Sequence, residues 1–272
     1  MPSASSKAST ETPAPSLRRL LPPDEPTSVE RFVEGLDLAK CAAGGPSSRP
    51  YVMLNMVSTA DGRVTLDGRS GAIGGSADKA LFLGLRTAVD GVMVGAGTVR
   101  AERYGRLVRA ARRREIRREH GLAEEPLACI VSGRMTLSAE IPLLADPGGR
   151  VAILTTSQAS LPQGCRADIQ YIRAVRDGLL DLPGAMSKLR QGHGVRTLLC
   201  EGGPHLNAQL LSEGLVDELF LSLSPLLAAG DTMSEALRIL SGPELDPPVA
   251  LELISALEHD SHLFLRYRVA VK

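Results

Sequence analysis

Tryptophan is absent from this 272-residue chain, and aromatic residues make up only 3% of it. Aliphatic side chains must therefore supply most of the core, and the 43% hydrophobic content is enough to build a sizeable one. Neither sign of charge is in excess. Basic and acidic residues balance at 31 each, so no overall field draws the chain towards nucleic acid or a membrane surface. No apolar run approaches the roughly 18 residues of a membrane-spanning helix. The four cysteines, Cys41, Cys129, Cys165 and Cys200, contain no C-x-x-C pair, and the five histidines form neither H-x-E nor H-E-x-x-H. Zinc spacing and a disulfide framework are both missing, and no metal is expected. Cys129 and Cys200 sit inside apolar runs, which predicts reduced, buried thiols. A signal-peptide core is missing too. Residues 1–26 open with "MPSASSKASTETPAPS", a Ser-, Pro- and Ala-rich stretch that reads as the disordered tail of a cytoplasmic protein.

What is present is an alternation of strand and helix signals. Thr27 and Glu30 have capping-box spacing, and Val29, Phe32, Val33 and Leu36 make one apolar face, which predicts a helix over 28–40. "YVMLNMV" at 51–57 is strand-like, and a Gly-, Asp- and Ser-rich loop follows to residue 75. Leu81, Phe82, Leu85 and Val89 recur at helical spacing. The runs at 127–132, 151–156 and 169–173 are short and aliphatic, as in central strands covered on both faces. A helix is expected around 178–191, then the strand "VRTLLC", then a helix from Pro204 to the C-cap Gly214. "VDELFLSLSPLL" and "SHLFLRYRVAVK" alternate apolar and polar residues, which favours antiparallel strands. The sum is an α/β fold with one domain over 27–272. The basic run Arg112–Arg118 reads as a solvated helix face.

Two strand-to-helix junctions are rich in glycine: Gly95-Ala96-Gly97-Thr98 and Gly202-Gly203-Pro204. Such turns gather backbone N–H groups at a helix N-terminus, where the partial positive charge and the missing Cβ atoms suit an anion. Two together suit the pyrophosphate of a dinucleotide, gripped from opposite flanks of a cleft. Neither gives G-x-G-x-x-G, so this is not the Rossmann fingerprint. Glu201, immediately before the second junction, would repel a phosphate. It therefore caps the helix at Pro204, meets a donor-bearing part of a ligand, or handles a proton.

The segments "LNMVSTADGRVTLDGRSGAIGGSADKALFLGLRTAVDGVMVGAGTVRAE", "LLCEGGPHL" and "LVDELFLSLSPLLAAG", in that order, resemble the reductase of riboflavin biosynthesis, often the C-terminal half of a bifunctional deaminase–reductase. "GTVRAERYG" is most similar to actinobacterial stand-alone pyrimidine reductases. The resemblance spans about residues 50–270. It implies a dihydrofolate-reductase-like fold: a mixed, mostly parallel central sheet flanked by helices, with antiparallel strands at the C-terminus. It implies NADPH-dependent reduction of 5-amino-6-(5-phosphoribosylamino)uracil, with hydride delivered to C1′ of the opened sugar, by a homodimer. The zinc motifs of the deaminase half are absent, so no deaminase is expected.

The resemblance also implies site residues. Asn55, Ser58, Thr59 and Asp61 match a substrate-binding motif, although Asp61-Gly62 also has the composition of a tight turn. Asp78 matches an acidic position whose role resembles that of the pterin-binding carboxylate of dihydrofolate reductase; read from residues alone, it is an acid at a helix start capped by Ser76. Asp78 and Glu201 are the candidate catalytic residues. Val94, Gly95, Gly97 and Thr98 form the first cofactor loop, and Glu201, Gly202, Gly203, His205 and Leu206 the second, with a cis peptide between its glycines. Ser132 and Arg134 follow a strand where this fold recognises the adenosine 2′-phosphate. The bifunctional pattern of two acids and a proline is replaced by Glu102, Arg103 and Tyr104, with Arg106 and Arg109 beyond as candidate ligands of the substrate phosphate. A related reductase of dihydrofolate or another pterin is one competing expectation, and a non-catalytic nucleotide-binding protein is another.

Overall fold

The structure is a computed structural model, and it describes residues 16–21, 27–230 and 237–270. The chain runs β1 (Ser16–Leu21), β2 (Thr27–Ser28), α1 (Val29–Glu34), α2 (Leu38–Gly44), β3 (Tyr51–Thr59), α3 (Ser76–Ala88), β4 (Gly91–Gly95), α4 (Ala96–Ala101) and α5 (Ala111–Glu119). It continues with β5 (Leu127–Val131), α6 (Pro142–Ala145), β6 (Arg150–Thr155), β7 (Asp168–Arg173), β8 (Val175–Arg176), β9 (Leu179–Leu180) and α7 (Leu182–Gly192). The last elements are β10 (Thr197–Cys200), α8 (Pro204–Ser212), β11 (Glu218–Ser224), β12 (Leu251–His259) and β13 (His262–Val269). One sheet takes the order β2-β1-β12-β13-β11-β3-β10-β4-β5-β6-β7, and β8 and β9 form a separate hairpin.

The sheet is parallel from β11 to β7 and antiparallel from β11 outward through β13, β12 and β1. The mixed α/β architecture expected from the sequence is present. Strands β4, β5, β6 and β10 are aliphatic because each is buried on both faces. One face packs on α1, α3 and the loops around Leu137–Leu144; the other packs on α7 and α8. Cys129 and Cys200 are buried in these layers as expected, and burial pushes the Cys200 thiol up to about 12.

Several expectations are corrected. The helix over 28–40 is two helices. Gly35 ends α1, and Asp37 adopts a left-handed conformation and accepts from the Lys40 N–H to start α2. The cap of α1 is Ser28, not Thr27. The cap of α3 is Gly75, so Ser76 is its first residue. The run at 169–173 is an edge strand, its apolar residues covered on one side only. β11 is antiparallel to β13 but parallel to β3, because its alternation records one covered face and not its partner's direction. Within the expected tail, residues 16–21 pair with β12, and Arg18 meets Glu258 at 3.1 Å; residues 1–15 and 22–26 lie outside the described residues. Backbone pairing needs no apolar pattern, which is why composition concealed β1. In α5, Arg112 and Arg118 are solvated, but Arg117 is fully buried. Its guanidinium donates to the carbonyls of Arg86, Thr87 and Val89 at the C-terminal end of α3, and to Ala123.

Candidate functional site

A cavity of about 980 Å³ opens at the carboxyl ends of β4 and β10, between β3, α3 and the segment joining α4 to α5. In open α/β sheets the strands' carboxyl ends are where ligands bind, because loops and helix N-termini converge there. Of the candidate residues, Asn55, Asp78, Gly95, Gly97, Thr98, Arg106 and Arg109 line this cavity. Glu201, Gly203, His205 and Leu206 line it as well.

The two glycine turns are neighbours, not opposite flanks. β4 and β10 are adjacent parallel strands, so their ends meet: Gly95 N–H donates to Gly202 O at 2.7 Å, and Glu201 N–H donates to Met93 O at 2.9 Å. Gly202 has φ +87°, comfortable only for glycine, and the Gly202–Gly203 peptide is cis. A Cβ on Gly203 would lie 2.8 Å from Thr98 Oγ1. α8 begins at Pro204 with Gly203 as its cap and no capping side chain, so its first N–H groups are free to face an anion. A bare backbone cradle beside a threonine hydroxyl, in the wall of a large cavity, fits a pyrophosphate-bearing cofactor.

Glu201 does not cap α8. Its carboxylate takes two donors from Arg86, Nε to Oε1 and Nη2 to Oε2, both at 2.7 Å. The Tyr104 hydroxyl donates to Oε2 at 2.6 Å. Arg86 comes from the last turn of α3, and its guanidinium lies 4.1 Å from the Phe82 ring centroid and 5.3 Å from that of Tyr104. Arg86 and Glu201 are both buried. Burial alone would pull Arg86 down, but the Glu201 charge outweighs it and holds the guanidinium protonated. Burial and the Glu201 charge together push the Tyr104 hydroxyl well above its usual range, so it stays a neutral donor. This triad is locally neutral.

Asp78 stands in the first turn of α3, packed against Gly74, with the Ser222 hydroxyl of β11 as hydrogen-bond partner. Burial pushes its carboxyl above the usual range, while Ser222 and His262 pull more weakly the other way. A half-buried carboxyl held in this state can accept a pair of donors or pass a proton.

Other candidates fall elsewhere. Ser58 and Thr59 are buried in β3, outside the cavity. Thr59 donates to Asp61, and Asp61 accepts from the N–H groups of Ala228 and Ala229 at 3.1 and 2.7 Å. Asp61 thus latches one loop to another, in keeping with the tight-turn composition. Val94 is buried inside β4, and Gly202 lies behind its neighbour. Ser132 and Arg134 stand just past β5, one strand over from the Gly95 turn and outside the cavity wall. Arg106 meets Glu125 and Asp146, both at 3.3 Å. Arg109 has no ion pair among the described residues, and neither do Lys79 and Arg113, which line the same cavity.

Arg86, Lys79 and Arg113 were not singled out from the sequence, and Tyr104 was noted only as a departure from the bifunctional pattern. Helical spacing carries a signal for two of them: Lys79, Phe82 and Arg86 fall three and four apart on α3, on the face of Asp78's own turn.

Residues 50–261 match the family described as the RibD C-terminal domain. The chain is 28% identical to the 2,5-diamino-6-ribosylamino-4(3H)-pyrimidinone 5′-phosphate reductase of Archaeoglobus fulgidus, over 67% of this chain and 83% of that protein. It is 27% identical to the protein of the same name from Methanothermobacter thermautotrophicus, over 81% and 99%. Its fold is similar to the crystal structure of a pyrimidine reductase-like protein from Corynebacterium diphtheriae, with a TM-score of 0.69 and 21% identity, over 90% of this chain and all of that one.

Proposed function

The chain belongs to the RibD C-terminal domain family, and we propose that it is an NADPH-dependent reductase of a phosphoribosylamino-pyrimidine in riboflavin biosynthesis, with 5-amino-6-(5-phosphoribosylamino)uracil as substrate. NADPH, when bound, supplies the hydride that C1′ of the opened sugar receives.

The chain's own residues divide the work. The Gly95–Thr98 turn, with Gly203 and the start of α8, holds the diphosphate through backbone N–H groups. Ser132 and Arg134, past β5, take the 2′-phosphate, for which a planar guanidinium is suited. Lys79, Arg109 and Arg113 hold the substrate phosphate. Asn55 offers an amide to the pyrimidine edge. Arg86 and Glu201, locked to each other, orient the neutral middle of the substrate. Asp78 is left to carry the proton that accompanies reduction.

The observation that supports this reading most strongly is the company these groups keep in one cavity. A bare glycine cradle, a neutral Arg86–Glu201–Tyr104 group and cations without an acidic partner among the described residues all line it. Purified protein should oxidise NADPH only when the phosphoribosylaminouracil is added, and product should carry a ribityl chain by mass spectrometry. Absence of both, with NADPH bound, would leave a nucleotide-binding protein.

Asp78 with Ser222 favours a second reading, reduction of dihydrofolate or another pterin, since a carboxylate accepts paired donors from a 2-amino-4-oxopyrimidine edge. Activity on the pterin alone would select it. We further propose a cytoplasmic homodimer with one domain that includes β1 as well as the segment expected from residue 27 onward. Leu251 and Leu253 on β12, with Leu20 and Leu21 on β1, are exposed and would be covered by a second copy. Among the described residues no helix is long and apolar enough to cross a membrane. Light scattering at micromolar concentration should give twice the chain mass.

A further inference from the structure

Tyr104 sits where three separate segments meet. Its backbone is clamped on both sides: its N–H donates to Val99 O at 3.1 Å, and its carbonyl accepts from Leu143 N–H at 2.9 Å. The residue before it, Arg103, adopts a left-handed conformation, φ 49°, which a side chain other than glycine or asparagine adopts at some cost. That turn swings the Tyr104 ring inward, under Arg86, and brings its hydroxyl 2.6 Å from Glu201 Oε2. Tyr104 lines the cavity.

The proton inventory then has one arrangement. Arg86 has no lone pair and Glu201 is acceptor-only, so both Arg86 contacts run from guanidinium to carboxylate. The Tyr104 proton is committed to Glu201 as well. Oε2 therefore receives two donors and Oε1 one; the phenolic oxygen also accepts from Arg86, which leaves it one further lone pair. Both residues line the cavity, so a neutral phenolic acceptor stands beside a carboxylate whose Oε1 holds a single donor. Two adjacent acceptors on a neutral platform match a group with two neighbouring donors, such as vicinal hydroxyls or an amine beside a hydroxyl. They do not match a phosphate or a carbonyl.

We propose that Tyr104 is a positioning and specificity residue for the proposed reduction: its hydroxyl fixes Glu201 against Arg86 and makes the pair an acceptor site for the hydroxyl-bearing sugar chain of the substrate. This rests on the functional reading above. Without the hydroxyl, Glu201 keeps its ion pair but loses its lateral restraint, and the sugar loses one acceptor. The loss is in holding substrate, not in cofactor binding or chemistry.

Tyr104→Phe removes only the oxygen, and the ring still packs under Arg86, so the variant folds. Steady-state kinetics should show KM for the phosphoribosylaminouracil raised about tenfold, with kcat within about twofold and KM for NADPH unchanged. The same substitution made in a Glu201→Gln background should raise KM by less than about twofold, because the amide cannot serve as the same charged acceptor and the coupling is already lost. A substrate KM unchanged in Tyr104→Phe, or raised equally in both backgrounds, would overturn the assignment while the functional reading stands. A wild-type protein that binds NADPH but reduces no phosphoribosylamino-pyrimidine would remove the functional reading and this assignment with it.

Discussion

Gly203 and Thr98 approach so closely that a single methyl group would collide: a Cβ on Gly203 would lie 2.8 Å from Thr98 Oγ1. The contact exists because β4 and β10 are neighbours whose ends are stitched together by the Gly95–Gly202 and Met93–Glu201 hydrogen bonds. The cradle proposed for the cofactor is thus one composite turn built from two distant segments.

Gly203→Ala should displace Thr98 and weaken NADPH binding about tenfold or more, with little change in the KM of the pyrimidine. Adding Thr98→Ala makes room for the methyl and should recover part of the affinity. Fluorescence titration of NADPH with the single and double variants reads this directly. Equal affinities for wild type and Gly203→Ala would mean the cofactor lies elsewhere.

The Arg86–Glu201 pair is buried on both sides, with both oxygens engaged. Arg86→Met leaves a buried carboxylate with only the Tyr104 donor, and should cost about 3–5 kcal/mol in urea unfolding. Removing Glu201 as well, as Arg86→Met with Glu201→Leu, should recover much of that stability but no activity. If the single variant were as stable as wild type, the pair would be solvated in solution.

Asp78 ties stability to pH in the opposite sense to a salt-bridged acid. Burial raises its folded pKa, so the folded chain keeps the proton longer than the unfolded one. Stability therefore falls as pH rises from the unfolded value, about 3.9, through the raised folded value, and stays lower above it. Asp78→Asn should melt at a higher temperature than wild type at about pH 7 and at the same temperature at about pH 3, while losing turnover. A stabilisation that persists at the acid pH would show that the carboxyl's charge is not the cause.

Asp61 distinguishes a ligand from a latch. Hydrogen bonds from Thr59 and from the backbone of Ala229 and Ala228 hold its carboxyl below the usual range. A depressed acid stabilises above its unfolded value, and that contribution is lost as pH falls through the folded one. Asp61→Asn should speed amide exchange at Ala228 and Ala229 while the KM of the pyrimidine stays within about twofold of wild type. A large rise in KM with both amides still protected would return Asp61 to the substrate site.

The sequence marked this site unevenly, for reasons that lie in the residues. The turns at Gly95 and Gly203 were legible because two glycine-rich strand-to-helix junctions occur in one chain; either alone has the composition of an ordinary turn. Asp78 was legible because an acid in a first helical turn invites a question. The partners of Glu201 were not. Arg86 and Tyr104 lie 115 and 97 positions away along the chain, and no local pattern reports which cation a carboxylate meets after folding. Arg117 misled for a related reason. In "ARRREIRRE" every arginine looks alike, and only the packing of α5 against the end of α3 decides that one of them is buried. The strand β1 was hidden because its stabilisation comes from β12's backbone, which composition does not register.

Lys79, Arg109 and Arg113 line the cavity without an acidic partner among the described residues, and an unpaired cation facing a cleft is a standing invitation to an anion. Arg113 is lightly tethered, its Nη1 donating to Thr87 Oγ1 at 3.4 Å. If this group holds the substrate phosphate, Arg109→Ala and Arg113→Ala should each raise the KM of the phosphorylated pyrimidine about tenfold. Neither should alter the KM of the dephosphorylated compound, which lacks the charge they read. Raising salt from low to physiological should weaken the wild-type KM and leave the variants less sensitive, because the screened interaction is already gone. Equal losses on both compounds would mean the arginines shape the cavity and do not bind its charge.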